Sequence, residues 1–220
     1  MVGGEPRFTE RLRSHSEPAW TNATNHQFTH ELAAGTLADD ALRRYLIQDY
    51  AFVETLTGLV GSAVVTAPSM AEKRRLTDFL VTLTGAENDY FERSFAALSV
   101  DEAAWKDPQK LPVTQALEDL FVRATHQGGY AESLAVLVPA EWVYLSWARP
   151  HRDAAPEKFY HEEWIAMHAS AEFEAFVSWL RAQLDEQGAT LSPQRTARVR
   201  RLFSRTVELE VAFFDAAYGI

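Results

Sequence analysis

Apolar residues recur along this chain at intervals of three and four, and strictly alternating stretches of the strand type are scarce. The pattern predicts an all-α protein. A first helix is expected from Phe8 to about Asn22, with Pro18 as a kink or early end, and a short one from Gln27 to Ala34, closed by Gly35 as a C-terminal cap. Asp39 and Asp40 put negative charge at the start of the next helix, where it complements the dipole. That helix should run past Phe52 to about Val65, with bends at Gly58 and Gly61, and stop before Pro68. Ser69 and Glu72 read as a capping box for a helix from Met70 to about Ser99, kinked at Gly85. A loop bracketed by Pro108 and Pro112 follows. Helices are then expected from Val113 to His126 and from Ala131 to Ala148, parted by Gly128 and Gly129. After a polar connection over 149–156, one helix should cover Glu157 to Leu184 and a loop 185–189. Ser192 as N-cap and Pro193 in the first turn open a last helix that runs to about Tyr218. No repeat or low-complexity linker divides the chain, so residues 1–220 read as a single helical domain.

Three acids interrupt the apolar stripes of these helices. Asp49 lies amid Leu42, Leu46, Phe52, Val53 and Leu56. Glu141 lies amid Leu134, Leu137, Val138, Tyr144 and Leu145, and Glu210 amid Val199, Phe203, Thr206, Phe214 and Ala217. Desolvating a carboxylate is costly, so a buried acid must be paired, hydrogen-bonded, protonated or set in a polar cavity. A single such acid is as readily structural. Acids on three separate helices point to one interior pocket, the usual way a helical bundle builds a site. Glu87, near Leu83, Tyr90 and Phe91, is a weaker fourth candidate, and Glu208 should point away from Glu210. Phe52, Phe91, Trp142, Tyr144, Trp164, Phe213 and Phe214 are interleaved with the acids. Most are expected in the core, but a few could sandwich a flat heterocycle whose amino group and ring nitrogen donate to carboxylates.

Composition narrows the class. A hydrophobic fraction of 47% and a charged fraction of 24% suit a globular protein with a sizeable core. The net charge of −10 argues against a nucleic-acid partner, and the local basic runs, Lys73 to Arg75 and Arg195, Arg198, Arg200 and Arg201, read as solvated helix faces. The absence of cysteine excludes disulfides, thiolate metal sites and thiol nucleophiles. The N-terminus lacks a signal-peptide core, and the longest apolar candidate, Leu56 to Ala67, is too short to span a membrane. A cytoplasmic protein without a membrane partner is therefore expected.

Two segments, ALRRYLIQDYAF (Ala41 to Phe52) and LVPAEWVYLSWA (Leu137 to Ala148), with a third, VELEVAFF, near the C-terminus, occur in an order that resembles the thiaminase II (TenA-type) family. The resemblance covers most of the chain, from about Asn22 onward. It implies a single-domain bundle with the haem-oxygenase-like fold, a homodimer or homotetramer, and a small pyrimidine substrate. It also implies aminopyrimidine binding by Asp49, proton transfer by Glu210 and a pocket-lining Tyr144. The chain departs from the cysteine enzymes of that family at Ala140, where they carry the nucleophile. It departs again at Glu141, at His168 where they have tyrosine, and at Phe91 and Leu117, which replace more polar residues. These departures resemble the cysteine-less branch, which is linked to hydrolysis of aminomethyl and formylaminomethyl pyrimidines in thiamin salvage.

The expected site is thus Glu210 and Glu141 as catalytic groups, with Asp49, Phe52, Tyr144, His168, Glu87 and Phe91 around the substrate and neither metal nor cofactor. Expelling an amine requires its protonation, which a glutamic acid kept neutral by a low-polarity pocket can supply. Three other readings stand beside this one. A haem-oxygenase-type enzyme would need a proximal histidine from His15, His26 or His30, which lie outside the apolar stripes. A di-iron oxygenase would need acids with a histidine three or four residues on. His161 to His168, with Glu162 and Glu163, offer raw material, but Asp49, Glu141 and Glu210 lack such a partner. The third is a small-ligand binding protein without turnover.

Overall fold

The computed structural model describes residues 6–219, and among these there are helices and no strands. The chain runs α1 (Phe8–His15), α2 (Ala19–Thr24), α3 (Gln27–Ala33), α4 (Asp39–Thr66), α5 (Met70–Thr82), α6 (Asn88–Ala97), α7 (Glu102–Lys106), α8 (Pro112–Gln127), α9 (Tyr130–Ala148), α10 (Phe159–Ala169), α11 (Ala171–Gly188) and α12 (Pro193–Ala216). A π-helical turn, Leu83–Glu87, joins α5 to α6, and a 3₁₀ turn, Arg149–His151, follows α9. Helix α9 is the axis of the bundle. It is apolar around nearly its whole circumference, as a helix surrounded by others must be, and it packs against α4, α8, α10, α11 and α12.

The local signals acted largely as expected. Gly35 takes a φ of +70° and closes α3 in a Schellman arrangement. Its N–H donates to Leu32 O at 3.1 Å, and the Thr36 N–H donates to Glu31 O at 2.9 Å. The Ser69 hydroxyl accepts from the Ala71 N–H and donates to the Glu72 carboxylate. Ser192 accepts from the Arg195 N–H, with Pro193 in the first turn of α12. Gly58 and Gly61 lie within an unbroken α4.

Tertiary packing changed four elements. The expected first helix is divided at Ser16–Pro18 into α1 and α2. The expected kink at Gly85 is a π turn through which the helical path continues. The expected helix from Glu157 to Leu184 starts at Phe159 and is cut at Ser170. That residue is extended (φ −66°, ψ 153°), and its hydroxyl accepts from the Phe173 N–H at 3.1 Å as the N-cap of α11. The expected loop at 185–189 is helical as far as Gly188. Asp185 instead caps another helix, accepting from the Thr9 N–H of α1 at 2.7 Å and from Arg7 Nε at 2.6 Å.

Candidate active site

A cavity of about 600 Å³ lies beside α9. Asp49, Phe52 and Leu56 enter it from successive turns of α4, and Ala140, Glu141 and Tyr144 from α9. Glu210 reaches it from α12, Phe121 from α8, and Trp164, Met167 and His168 from α10. The outer part is lined by Phe79 of α5 and by Phe173 and Phe176 of α11, with Phe79 and Phe176 stacked at 4.3 Å. The break at Ser170 makes this possible. It lets the end of α10 and the start of α11 both present side chains to one space.

Asp49, Glu141 and Glu210, picked out on three separate stripes, therefore meet. They are 5%, 8% and 2% exposed, and neither Glu141 nor Glu210 makes a hydrogen bond within the protein. Glu87 joins them from the π turn, an insertion that rotates the helix and brings Leu83, Ala86 and Glu87 to the cavity. Burial pushes Asp49 up to about 7, with a hydrogen bond from the Tyr45 hydroxyl opposing the rise. Burial, together with the charges of Glu210 and Asp49, pushes Glu141 to about 8, and burial plus the Asp49 charge does the same to Glu210. Glu87 is driven well above the usual range by burial and by Glu141 and Asp49. Arg75, toward the mouth, is the one lining residue of permanent positive charge among the described residues. Its Nη2 donates to Ala175 O at 3.0 Å.

The remaining groups are set by hydrogen bonds. The Tyr45 and Tyr144 hydroxyls lie 2.6 Å apart and share a hydrogen bond. Asp49 Oδ2 is buried and has no hydrogen-bond partner. His168 Nδ1 lies 2.8 Å from Trp164 O. A carbonyl can only accept, so Nδ1 carries the proton and Nε2 keeps its lone pair. Burial lowers His168 to about 4, and it is neutral at physiological pH. Its ring lies 4.9 Å from that of Tyr144 and 4.4 Å from that of Trp164.

Phe91 does not belong to the cavity. It is fully buried one turn beyond Glu87, edge-on to Trp164 at 5.6 Å, because the Trp164 ring takes the lining position in front of it. Phe213 and Phe214 form a second layer against Tyr45, and Trp142 packs on Trp20 with Arg181 over its face. Glu208 points outward to Arg205, as its offset from Glu210 requires. His15 and His30 are exposed, and His26 caps α3 and contacts Asp215. Glu163 is held at the surface by Arg93. Among the described residues no group of three or more His, Asp or Glu side chains is placed to hold a metal ion.

Several residues of the site escaped the sequence reading. Tyr45, behind the cavity wall and bonded to Tyr144, stands four residues before Asp49 on the same face, a spacing that could have flagged it. Phe173 and Phe176 were hidden by the missed break, although Ser170 followed by Glu172 and Glu174 carries a helix-start signal. Phe79, Phe121 and Met167 are ordinary apolar positions that only packing distinguishes.

Fold and site define a class: an all-α bundle of the haem-oxygenase-like type with an acid-lined interior cavity. Residues 13–219 match the TENA/THI-4/PQQC family, and the chain belongs to that family. A TenA family structure from Silicibacter sp. TM1040 superposes with a TM-score of 0.86 at 24% identity over 99% of both chains. A domain described as having a heme oxygenase-like fold, from Shewanella denitrificans, superposes with a TM-score of 0.70 at 14% identity, covering 96% of this chain and 92% of its own. Among sequence relatives, the aminopyrimidine aminohydrolase of Helicobacter pylori is 24% identical, covering 96% of this chain and 99% of its own. That of Halalkalibacterium halodurans is 22% identical over 96% of each.

Proposed function

We propose that this protein hydrolyses a thiamin-derived aminomethyl or formylaminomethyl pyrimidine, releasing hydroxymethyl pyrimidine, with carboxylates in place of a cysteine. The observation that carries this reading is the convergence of Asp49, Glu141 and Glu210 on one cavity, with Asp49 Oδ2 buried and unpartnered. An orphaned carboxylate oxygen beside aromatic rings fits the amino group or protonated nitrogen of a pyrimidine. Two relatives that span nearly the whole chain are aminopyrimidine aminohydrolases, which supports the same substrate class.

The surroundings of each acid suggest the roles. Asp49 has a buried oxygen without a partner, and burial together with neighbouring acids raises Glu141 and Glu210. Asp49 as carboxylate accepts from the ring. Glu210, still protonated near neutrality, gives its proton to the departing nitrogen as the methylene C–N bond breaks and its electron pair goes to nitrogen. The Glu210 carboxylate then takes a proton from the water that adds to the methylene carbon, which restores the acid. Glu141 holds that water. Ala140 provides no nucleophile at the position where the cysteine enzymes carry theirs, and direct attack by water is favoured over a covalent carboxylate intermediate. Tyr144, Phe52 and the neutral His168 flank the ring, and Glu87 adds acceptor capacity.

The same reading carries a cytoplasmic homodimer or homotetramer. The exposed Val65 and Met70 near the α4–α5 corner suit a covered face, and light scattering tests the assembly. For the activity, aminomethyl pyrimidine, its formyl derivative and thiamin are incubated in parallel and the products identified. Hydroxymethyl pyrimidine from one or both small substrates, with thiamin intact, is expected. Robust thiamin cleavage with no turnover of the smaller compounds would overturn the proposal.

A further inference from the structure

The seam between α8 and α12 opens, outside the catalytic cavity, into a second concavity of about 340 Å³. Its lining holds Arg123 of α8 and Arg198, Arg201 and Arg205 of α12. The α12 positions are spaced by three and four, so they share one face. The sequence reads Arg198 and Arg201 as part of a solvated face, and they are exposed, as are Arg123 and Arg205; packing adds that the four surround a hollow.

The donors in this hollow are in excess. Arg123 and Arg201 have neither an ion pair nor a hydrogen bond. Arg198 donates Nη1 to Gln127 O at 2.9 Å, which anchors the guanidinium and leaves its other N–H groups unengaged. Gly128, the C-cap of α8 and also on the lining, makes no backbone hydrogen bond through its N–H. Any larger residue there is excluded, because a Cβ would stand 2.3 Å from the Glu132 Cβ.

The acceptors are spoken for. Glu132 is the one acid on the lining, and it already receives Arg195 Nε at 3.0 Å, Arg195 Nη2 at 2.7 Å and the Gly129 N–H at 3.0 Å. Arg205 alone has an outside partner, Glu208 at 3.0 Å, with both side chains about half exposed, a pairing of little strength. A chain of net charge −10 has thus gathered four arginines from two helices around one concavity, with a single, already paired carboxylate among them.

We propose that this crevice is an anion-binding site, separate from the catalytic cavity, for a small ligand bearing a diphosphate or longer phosphate chain. Planar guanidinium forks match phosphate oxygens in pairs, and a concave surface of one sign focuses its field on a counter-charge. The hollow has room for roughly ten waters at about 30 Å³ each, more than one phosphate needs. The net charge of −10 on the whole chain disfavours a nucleic-acid strand, whose binding needs a continuous basic track.

The test is calorimetric titration of the full chain with inorganic pyrophosphate in metal-free, low-salt buffer. Three proteins are compared: wild type, R123Q/R201Q, and an R74Q/R200Q control that removes the same charge outside the crevice. Saturable one-site binding is expected in wild type and control, and a loss of affinity of at least about tenfold in R123Q/R201Q. Should the double variant fold poorly by circular dichroism, R201Q alone provides the comparison. Binding should persist in Asp49→Asn and resist competition by an aminopyrimidine, which keeps the outcome independent of the proposed hydrolase activity. Equal weakening in the control, no saturable binding in wild type, or dissociation of an oligomer by R123Q/R201Q would each overturn the proposal. The last would make the crevice a subunit contact.

Discussion

Helix α9 carries two glutamates out of water and treats them in opposite ways. Glu132, in its first turn, is 1% exposed and fully engaged by Arg195 and the Gly129 N–H. Burial would raise its pKa, but these partners outweigh that and hold it below the usual carboxylate range. Glu141, further along the same helix, is 8% exposed and has no partner. Burial and the charges of Glu210 and Asp49 push it to about 8. Burial alone therefore does not mark a functional acid. What separates the two is whether the protein itself supplies the missing hydrogen bonds. Where it does, the acid staples α9 to α12. Where it does not, the carboxyl is left facing the cavity.

The largest effect should come from Glu210, on the unpartnered side of this contrast. Glu210→Gln keeps the side chain's size but cannot deliver a proton. Turnover should fall by about a hundred-fold to ten-thousand-fold in single-turnover assays while pyrimidine binding persists. Glu141→Gln is the companion measurement. If it abolishes activity while Glu210→Gln stays near wild type, the roles are reversed, and if both remain fully active, the buried acids are structural. Next in size, Asp49→Asn should weaken binding of a pyrimidine ligand by about 2–3 kcal/mol, since a charge-assisted bond is exchanged for a neutral one. Calorimetry reads this directly, and unchanged affinity would remove Asp49 from the site.

Glu132→Gln should do the reverse. Arg195 is about half exposed, so breaking the pair should cost only about 1–2 kcal/mol of stability in a denaturant titration, with kcat/KM per folded molecule unchanged. A loss of activity without a loss of stability would erase the distinction drawn here. The remaining comparison is the pH dependence of stability, where the two acids have opposite signs. The raised groups, Asp49, Glu141 and Glu210, bind more protons folded than unfolded between their ordinary values and about 7 to 8. Their stabilising contribution is present in acid and is lost as pH rises through that range. The lowered group, Glu132, contributes above its ordinary value and loses that contribution as pH falls. The melting temperature of Glu141→Gln should fall less than that of wild type as pH rises, and that of Glu132→Gln should fall less as pH drops. The same sign for both variants would contradict the assignment.

The sequence by itself determined the helical class, most helix ends and the three acids on apolar stripes. Each of these rests on local chemistry. Helical period, capping side chains and the cost of desolvating a carboxylate can all be read within a few turns of one segment. It also marked Ala140 as a position without a thiol. Tertiary structure alone decided which buried acids were satisfied. Glu132 meets a guanidinium from α12, whereas Glu141 meets other acids, and no spacing within α9 distinguishes them. It also decided that Asp185 caps α1, that Trp164 displaces Phe91 from the cavity and that the π turn delivers Glu87. The partners in these cases lie far apart along the chain. A side chain's hydrogen bonds and local dielectric are set by what packs against it, and that is fixed only when the helices assemble.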